Sequence, residues 1–249
     1  MQWKLRTAKD AAAGRKDESW GSLTWIASQA LGNAEGVTIG RVVLKGGQVT
    51  GRHTHRGCEE AVYMLSGELD HSLDSASVHL SAGDMLVVPL HVFHSLKNAG
   101  PADADVIVAF SSGARDTEPE ARGAVICPAA ESGRPKEPVS HGRRIDEPWG
   151  SLTWLASREI GNADGVTVGR VVIKRGRSNP RHAHNACEEV LYLLAGELDH
   201  TIGGETVRLT AGDTLTVPAG AFHNAASVGS VEADMIVVYS SGTRDFVKE

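Results

Sequence analysis

Histidine and glutamate residues occur in the same order and spacing at two places in the chain. Each copy has a His-x-His pair, a glutamate five residues after the second histidine, and a third histidine 34 residues after the glutamate. Three imidazoles and one carboxylate are a common ligand set for a divalent first-row transition metal. Because every spacing is kept in both copies, the sequence predicts two metal ions per chain. The predicted ligands are His53, His55, Glu60 and His94 in the first copy, and His182, His184, Glu189 and His223 in the second.

Four protein ligands leave about two positions open on a six-coordinate ion, where water, dioxygen or a substrate can bind. Structural metal sites are usually closed by protein ligands, so this set indicates a working centre. Iron, nickel, manganese and zinc would all accept these ligands, and the order of affinities does not choose between them. Two alternatives stay open: the metal is bound but inert, or the histidines are ordinary packed or solvated residues.

The two copies belong to an internal repeat. Residues 18–116 align with residues 147–245 without an insertion or deletion, and a little over half of the positions are identical. Each unit of about 100 residues has the usual size of an independent domain. The stretch between the units is rich in proline, glycine and charge, which favours an irregular linker. The sequence therefore predicts an N-terminal domain (1–116), a linker (117–146) and a C-terminal domain (147–249).

The apolar pattern within each unit is short and alternating, with glycine and proline turn signals between the runs. This pattern predicts an all-β sandwich or barrel rather than a helical domain. His53 and His55 are two positions apart, so on a strand their side chains leave the same face. Glu60 and His94 come from later segments, and a closed barrel would bring all four side chains inward to one point.

Two longer motifs surround the predicted ligands. The first is glycine, five residues, His-x-His, four residues, glutamate, six residues and glycine, and it spans residues 47–67 and 176–196. The second is glycine, five residues, proline, x, glycine, two residues, histidine, three residues and asparagine, and it spans residues 83–98 and 212–227. These motifs resemble those of the cupin superfamily, specifically the two-domain bicupins. The departures are His91 in place of the internal glycine and Ser227 in place of the asparagine.

The resemblance implies a jelly-roll β-barrel in each repeat, with the metal near its centre. Many cupins with three histidines and one glutamate are dioxygenases, so the resemblance favours a dioxygenase acting on a small polar organic substrate. Other cupins are isomerases, lyases or decarboxylases, and seed-storage bicupins are non-catalytic. In bicupin oxalate decarboxylases an arginine three residues before the first ligand histidine grips the substrate. Thr50 and Asn179 occupy that place here, which disfavours oxalate.

Four residues are candidates for catalytic roles. Glu60 and Glu189 could leave the metal transiently and act as bases. His71 and His200 alternate with apolar residues on one strand, so both should point into the barrel if the leucines beside them do. A histidine beside a metal could move protons or orient a substrate, and it could equally be a hydrogen-bonded core residue.

Other duplicated residues have two interpretations each. Cys58 and Cys187 are either small buried side chains or groups beside the metal. Arginines 41 and 170 interrupt apolar strands and need an anionic partner. That partner is a substrate carboxylate or, more often, an internal acid such as the duplicated aspartates 105 and 234. The paired tryptophans are interpreted as packing residues rather than a ligand platform.

Composition excludes several classes of protein. No apolar run approaches the ~20 residues needed to span a bilayer, and no secretory signal is visible. The formal net charge is −6 and the basic residues are dispersed, so nucleic-acid binding is not expected. The odd count of three cysteines favours a reducing cytoplasm. A small-molecule substrate is the expected partner, and further assembly into a homo-oligomer is left open.

Overall fold

The computed structural model describes residues 2–120 and 137–249, and most of the predicted linker lies outside these residues. The chain begins with a short strand, β1 (Lys4–Arg6), and the helix α1 (Ala8–Ala13). The Thr7 side chain caps this helix, because its hydroxyl accepts a hydrogen bond from the Asp10 backbone. No helix in the described part of the chain is long and apolar enough to cross a membrane.

The first repeat and the start of the linker form two facing sheets. Their strands are β2 (Arg15–Glu18), β3 (Gly21–Ala27), β4 (Thr38–Leu44), β5 (His53–Thr54), β6 (Glu60–Ser66), β7 (Glu68–Leu73), β8 (Ala76–Ser81), β9 (Asp84–Val88), β10 (His94–Lys97), β11 (Ala104–Phe110) and β12 (Glu118–Pro119). The larger sheet has the order β9-β6-β11-β4-β3-β2, and the smaller sheet has the order β12-β5-β10-β7-β8.

The second repeat forms the same pair of sheets. Its elements, with two strands that lie wholly or mostly in the predicted linker (β13 and β14), are β13 (Val139–Ser140), β14 (Arg143–Glu147), β15 (Gly150–Ala156), β16 (Thr167–Ile173), β17 (His182–Ala183), β18 (Glu189–Ala195), β19 (Glu197–Ile202), β20 (Glu205–Thr210), β21 (Thr214–Val217), β22 (His223–Ser227), β23 (Ala233–Tyr239) and β24 (Val247–Lys248). The sheet orders are β21-β18-β23-β16-β15-β14 and β20-β19-β22-β17-β24. The prediction of two tandem jelly-roll β-barrels is confirmed.

The central strand β6 shows how the sequence serves two cores at once. Val62 and Met64 point into the N-terminal barrel, whereas Ala61 and Tyr63 point into a second cluster between the two barrels. Side chains alternate between the two faces of a strand, and here both faces are buried. This is why the strand is a continuous apolar run, and β18 has the same arrangement in the C-terminal barrel.

The cluster between the barrels joins the two repeats into one body. It contains residues from both halves, such as Ile39 and Ile107 from the first and Val168 and Ile236 from the second. Two short strands outside the repeats also pair with the larger sheets. Strand β1 pairs with β21 of the C-terminal barrel, and β13 pairs with β9 of the N-terminal barrel.

Reciprocal arginine contacts cross the same interface. Arg41 forms an ion pair with Asp105 at 2.5 Å and donates a hydrogen bond to the Tyr192 hydroxyl of the other repeat at 3.2 Å. Arg170 forms an ion pair with Asp234 at 2.6 Å in the matched arrangement. The prediction that internal aspartates pair with these arginines is confirmed, so neither guanidinium is left as a substrate anchor.

Two buried glutamates fasten the interface through backbone amides. Glu59 accepts hydrogen bonds from the N–H groups of Asp164 and Gly165, the latter at 2.8 Å. Glu188 accepts the matched pair, including a bond of 2.6 Å from Gly36. A Cβ atom on Gly36 would lie 2.5 Å from the Ser240 Cβ, so only glycine allows this close approach.

Replacing Glu188 by alanine should destabilise the whole chain. Two amide N–H groups would lose a charged acceptor inside the interface, and such losses cost roughly 1–3 kcal/mol per buried group. The free energy of unfolding from urea titration measures the effect. Glu18→Ala, at an exposed position of β2, is the control and should change little. Equal stabilities for the two variants would contradict this role of Glu188.

Candidate metal centres

The predicted ligands meet within each barrel, where two strands of the smaller sheet face the larger sheet. His53 of β5 lies directly opposite His94 of β10, and His182 lies directly opposite His223. Glu60 begins β6 on the facing sheet and therefore closes the group from the other side. A strand pair supplies two imidazoles and the facing sheet supplies the carboxylate.

Each group is compact enough for one metal ion. One ligand atom from each of the four residues lies within 4.8 Å of the others in both barrels. In the N-terminal barrel the Glu60 carboxylate is 2.8 Å from His94 Nε2 and 3.4 Å from His55 Nε2. In the C-terminal barrel the Glu189 carboxylate is 3.1 Å from His223 Nε2. The prediction of two metal-binding groups per chain, one in each domain, is confirmed.

Backbone carbonyls orient all six imidazoles. The Nδ1 atom of each histidine lies 2.5–2.9 Å from a backbone carbonyl oxygen, which can only accept a hydrogen bond. Nδ1 must then carry the proton, and Nε2 is left with a lone pair directed at the centre. The six carbonyls belong to Gly51, Asp116 and Val92 in the first barrel, and to Pro180, Asp245 and Ala221 in the second.

The ligand atoms have few protein partners of their own. His55 Nε2, His94 Nε2 and the Glu60 Oε2 atom are buried without a hydrogen bond, as is His184 Nε2 in the other barrel. Buried polar atoms are normally satisfied, so a cluster of unsatisfied lone pairs at one point calls for another group. A divalent cation at the centre accounts for them, and the residues present fit it.

The charge states of both glutamates and of His182 suit a cation as well. Burial raises the pKa of Glu60, but the nearby imidazoles of His94 and His55 outweigh burial and hold this pKa well below its usual range. Glu189 has a lowered pKa for the same reasons. Burial lowers the pKa of His182 to about 4, which keeps its imidazole neutral. An ionised carboxylate and a neutral imidazole are the forms that bind metals.

A fourth histidine, outside the ligand set, packs against each group. His71 is fully buried and stacks on His94 with ring centroids 5.5 Å apart, and His200 stacks on His223 at the same distance. The expected inward orientation is therefore present. Burial lowers the pKa of both to about 3, so they are neutral imidazoles at physiological pH. His200 Nδ1 is buried without a hydrogen-bond partner.

The two matched cysteines are buried thiols beside the metal groups. Burial and the nearby Asp116 carboxylate raise the pKa of Cys58 to about 12, and burial raises that of Cys187 to about 11. A thiolate is the form that ligates metals or attacks electrophiles. Cys58 could join His55 and Asp116 in another cluster, but its thiol is protonated and His55 is shared with the main group.

A cavity of about 360 Å³ opens onto the metal group of the C-terminal barrel. Most of the residues that line this cavity were not predicted from the sequence. Trp149 and Trp154, interpreted as packing residues, do pack against the barrel core but also line the cavity. Arg244 and Phe246 line it too, and the duplication of the pair Arg244-Asp245 was the one signal that could have found them.

Tyr239 is another wall residue without a counterpart hydroxyl in the first barrel. Burial and the charge of Glu189 raise its pKa well above the ordinary value, so the phenol stays protonated. The matched position in the first barrel is Phe110. The two metal groups therefore share their four ligands but differ in the polar groups around them.

Comparison with known proteins places the chain in a family. The cupin domain model matches residues 40–110 and 169–239, which together make up more than half of the chain. The chain belongs to the cupin family, as a tandem member with one domain in each repeat.

Curated relatives match only part of the chain. Germin-like protein 5-1 of Oryza sativa subsp. japonica is 36% identical over 110 residues, which are 41% of this chain and 50% of that protein. Oxalate oxidase 2 of Hordeum vulgare is 32% identical over 90 residues, which are 32% of this chain and 39% of that protein. The chain spans half or less of the length of these relatives.

Solved structures match the fold over nearly the whole chain. Lactobacillus farciminis oxalate decarboxylase in its formate complex has a TM-score of 0.83 and 16% identity, covering 98% of this chain and 88% of its own. Bacillus subtilis oxalate decarboxylase at pH 4.6 has a TM-score of 0.82 and 14% identity, covering 98% and 78%. At these identities the likeness shows a shared two-barrel fold.

Proposed function

We propose that the chain is a metal-dependent enzyme that acts on a small organic acid. The observation that carries the proposal is the arrangement of six histidines whose Nε2 atoms are turned towards two carboxylates by backbone carbonyls. His53, His55, Glu60 and His94 would hold one divalent ion, and His182, His184, Glu189 and His223 would hold the other. The substrate class is supported by the relatives named oxalate oxidase and oxalate decarboxylase.

The bound ion would act as a Lewis acid or redox centre and offer open positions to the substrate. The residues of the chain supply the rest. The carboxylates of Glu60 and Glu189 balance the charge of the ion and are placed to take a proton from a substrate in the open positions. His71 and His200 would accept hydrogen bonds as neutral imidazoles, because burial keeps them unprotonated.

The reaction type has more than one candidate. A dioxygenase remains the favoured prediction from the ligand set, and an oxidase or decarboxylase is supported by the names of the relatives. Oxygen uptake and carbon dioxide release, followed in parallel with a panel of mono- and dicarboxylic acids, separate these reactions. Metal binding without turnover of any acid would favour the non-catalytic binding module instead. A cytoplasmic location and a homo-oligomer stay predictions.

Replacing Glu60 and Glu189 together by alanine should abolish turnover. Each change removes the only anionic ligand of its group and the candidate base, and the loss of a general base alone costs about 10²–10⁴-fold in rate. The measurement is kcat under saturating metal. The control is Glu68→Ala, at an exposed position of β7. Undiminished activity of the double variant would reject the proposed role of both carboxylates.

A further inference from the structure

The two barrels differ where a substrate would enter. The C-terminal cavity is lined by Ala225, whereas the matched position in the first barrel is Leu96, a side chain larger by three carbons that packs into the barrel core. Phe246 lines the C-terminal cavity and stacks on His182 at 4.6 Å, and its counterpart is Thr117. The C-terminal barrel thus has space beside its metal group, and the N-terminal barrel has a leucine in the matched space.

Arg244 is one of two cationic side chains that line this cavity. Its guanidinium lies 4.3 Å from the Trp154 ring centroid, 5.5 Å from that of Phe246 and 5.6 Å from that of Tyr239, so three aromatic rings hold it in place. Among residues 2–120 and 137–249, no carboxylate forms an ion pair with Arg244. A half-buried guanidinium without an anionic partner is suited to bind a carboxylate through two parallel hydrogen bonds.

The charged side chains around Arg244 are compatible with carboxylate binding. Lys248 adds a second cation at the cavity. Two carboxylates also line the cavity, but Glu189 is engaged by the imidazoles of its group and Glu147 is exposed at the end of β14. An anion that enters the cavity would therefore meet Arg244 and Lys248. In the described part of the chain, neither of these side chains forms an ion pair with an acidic residue.

The rest of the wall is apolar. Leu152, Val171, Met235 and Val237 line the same cavity as Arg244 and the metal ligands His182, Glu189 and His223. Such a surface gains free energy by removing apolar ligand atoms from water, at about 25 cal/mol per Å² of buried area. A dianion without a carbon body, such as oxalate, would leave this surface unused.

We propose that the C-terminal barrel is the substrate site and takes an organic carboxylate with an apolar body. The carboxylate pairs with Arg244, the body packs against the apolar wall, and the other end of the molecule reaches the metal group of His182, Glu189 and His223. This inference rests on the proposed function and narrows its substrate class. It also replaces the sequence-based expectation of a small polar substrate with a partly apolar one.

Binding of phenylacetate to the full chain tests the inference, with phenylacetamide as its uncharged counterpart and oxalate as the small dianion. Isothermal titration calorimetry should show one phenylacetate bound per chain, more tightly than oxalate. Arg244→Gln should weaken phenylacetate binding at least about 10-fold, because a hydrogen bond to a charged group contributes on the order of 1.5–3 kcal/mol. The same variant should leave phenylacetamide binding unchanged.

The first barrel supplies matched controls. Arg115 stacks on Trp25 at 4.3 Å as Arg244 does on Trp154, so Arg115→Gln makes the same chemical change in the other repeat and should not alter phenylacetate binding. Ala225→Leu introduces the side chain that already occupies the matched position as Leu96. It should abolish phenylacetate binding while the metal content stays at the wild-type value.

Several results would overturn the inference. These are no saturable binding of phenylacetate, tighter binding of oxalate, equal effects of Arg115→Gln and Arg244→Gln, or unchanged affinity after Arg244→Gln. Metal content and turnover are measured separately. A chain that binds metal and turns over an acid without needing Arg244 keeps the proposed function and loses the inference. A chain that binds phenylacetate through Arg244 but holds no metal keeps the carboxylate site and loses the proposed function.

Discussion

Replacing His223 by alanine should empty the metal site of the C-terminal barrel and leave that of the N-terminal barrel filled. The change removes one of four ligands and leaves the buried Glu189 carboxylate without its 3.1 Å partner. Losing a partner that merely orients a metal ligand costs 10–100-fold in affinity, so losing a ligand itself should cost at least about 100-fold. Elemental analysis should fall from two metal ions per chain to one.

Further variants test whether the loss of metal is specific to the mutated barrel. His94→Ala is the matched change in the first barrel and should also leave one metal ion per chain, whereas the double variant should hold none. His79→Ala is the control, because His79 is exposed and pairs with Asp70 at 2.9 Å, away from both groups. Retention of two metal ions by His223→Ala would contradict the assignment of this ligand set.

Removing the metals should lower the thermal stability of the chain by a large margin. A ligand that binds only the folded state stabilises it by about 2.7 kcal/mol per site at 100 times its Kd. In a chain of this size, each 1 kcal/mol moves the Tm by roughly 2–4 °C. Without the cations, buried atoms such as His55 Nε2 and the Glu60 carboxylate oxygen have no hydrogen-bond partner. Differential scanning calorimetry before and after chelation measures the shift.

Re-addition of metal controls for damage by the chelator. The Tm should return when manganese, iron, nickel or zinc is restored, and the metal that restores it at the lowest concentration is the preferred ion. The double variant His94→Ala with His223→Ala should show no shift on chelation. A wild-type Tm that is indifferent to chelation, in protein shown to have lost its metal, would contradict the coupling of binding to folding.

Spacing and parity in the sequence predicted the parts of the site that depend on local geometry. His53 and His55 reach the same metal group, as side-chain alternation along an extended segment predicts, and the fixed spacing to Glu60 placed the carboxylate at the start of the next strand. The pairing of Arg41 with Asp105, 64 residues away, followed from charge rather than from spacing, because burying an unpaired guanidinium is costly. Each of these inferences needed only the sequence of a single repeat.

Features that depend on distant segments were not readable in the same way. The Asp116 carbonyl orients His55 from 61 residues away, and the Glu59 carboxylate fastens a loop of the other repeat. Both contacts depend on how the sheets face one another, which no local pattern encodes. The cavity lies where the two repeats differ at a few side chains, such as Ala225 in place of leucine. Only the three-dimensional arrangement shows that these substitutions surround one space.

An anomalous-difference map from a crystal of the full chain, recorded at the absorption edge of the metal found by elemental analysis, tests the central claim most directly. The account predicts one peak in each barrel, about 2.0–2.2 Å from three Nε2 atoms and one glutamate oxygen, with at least one coordination position free of protein. A map without peaks at these groups, or with every position of the ion filled by protein atoms, would contradict it.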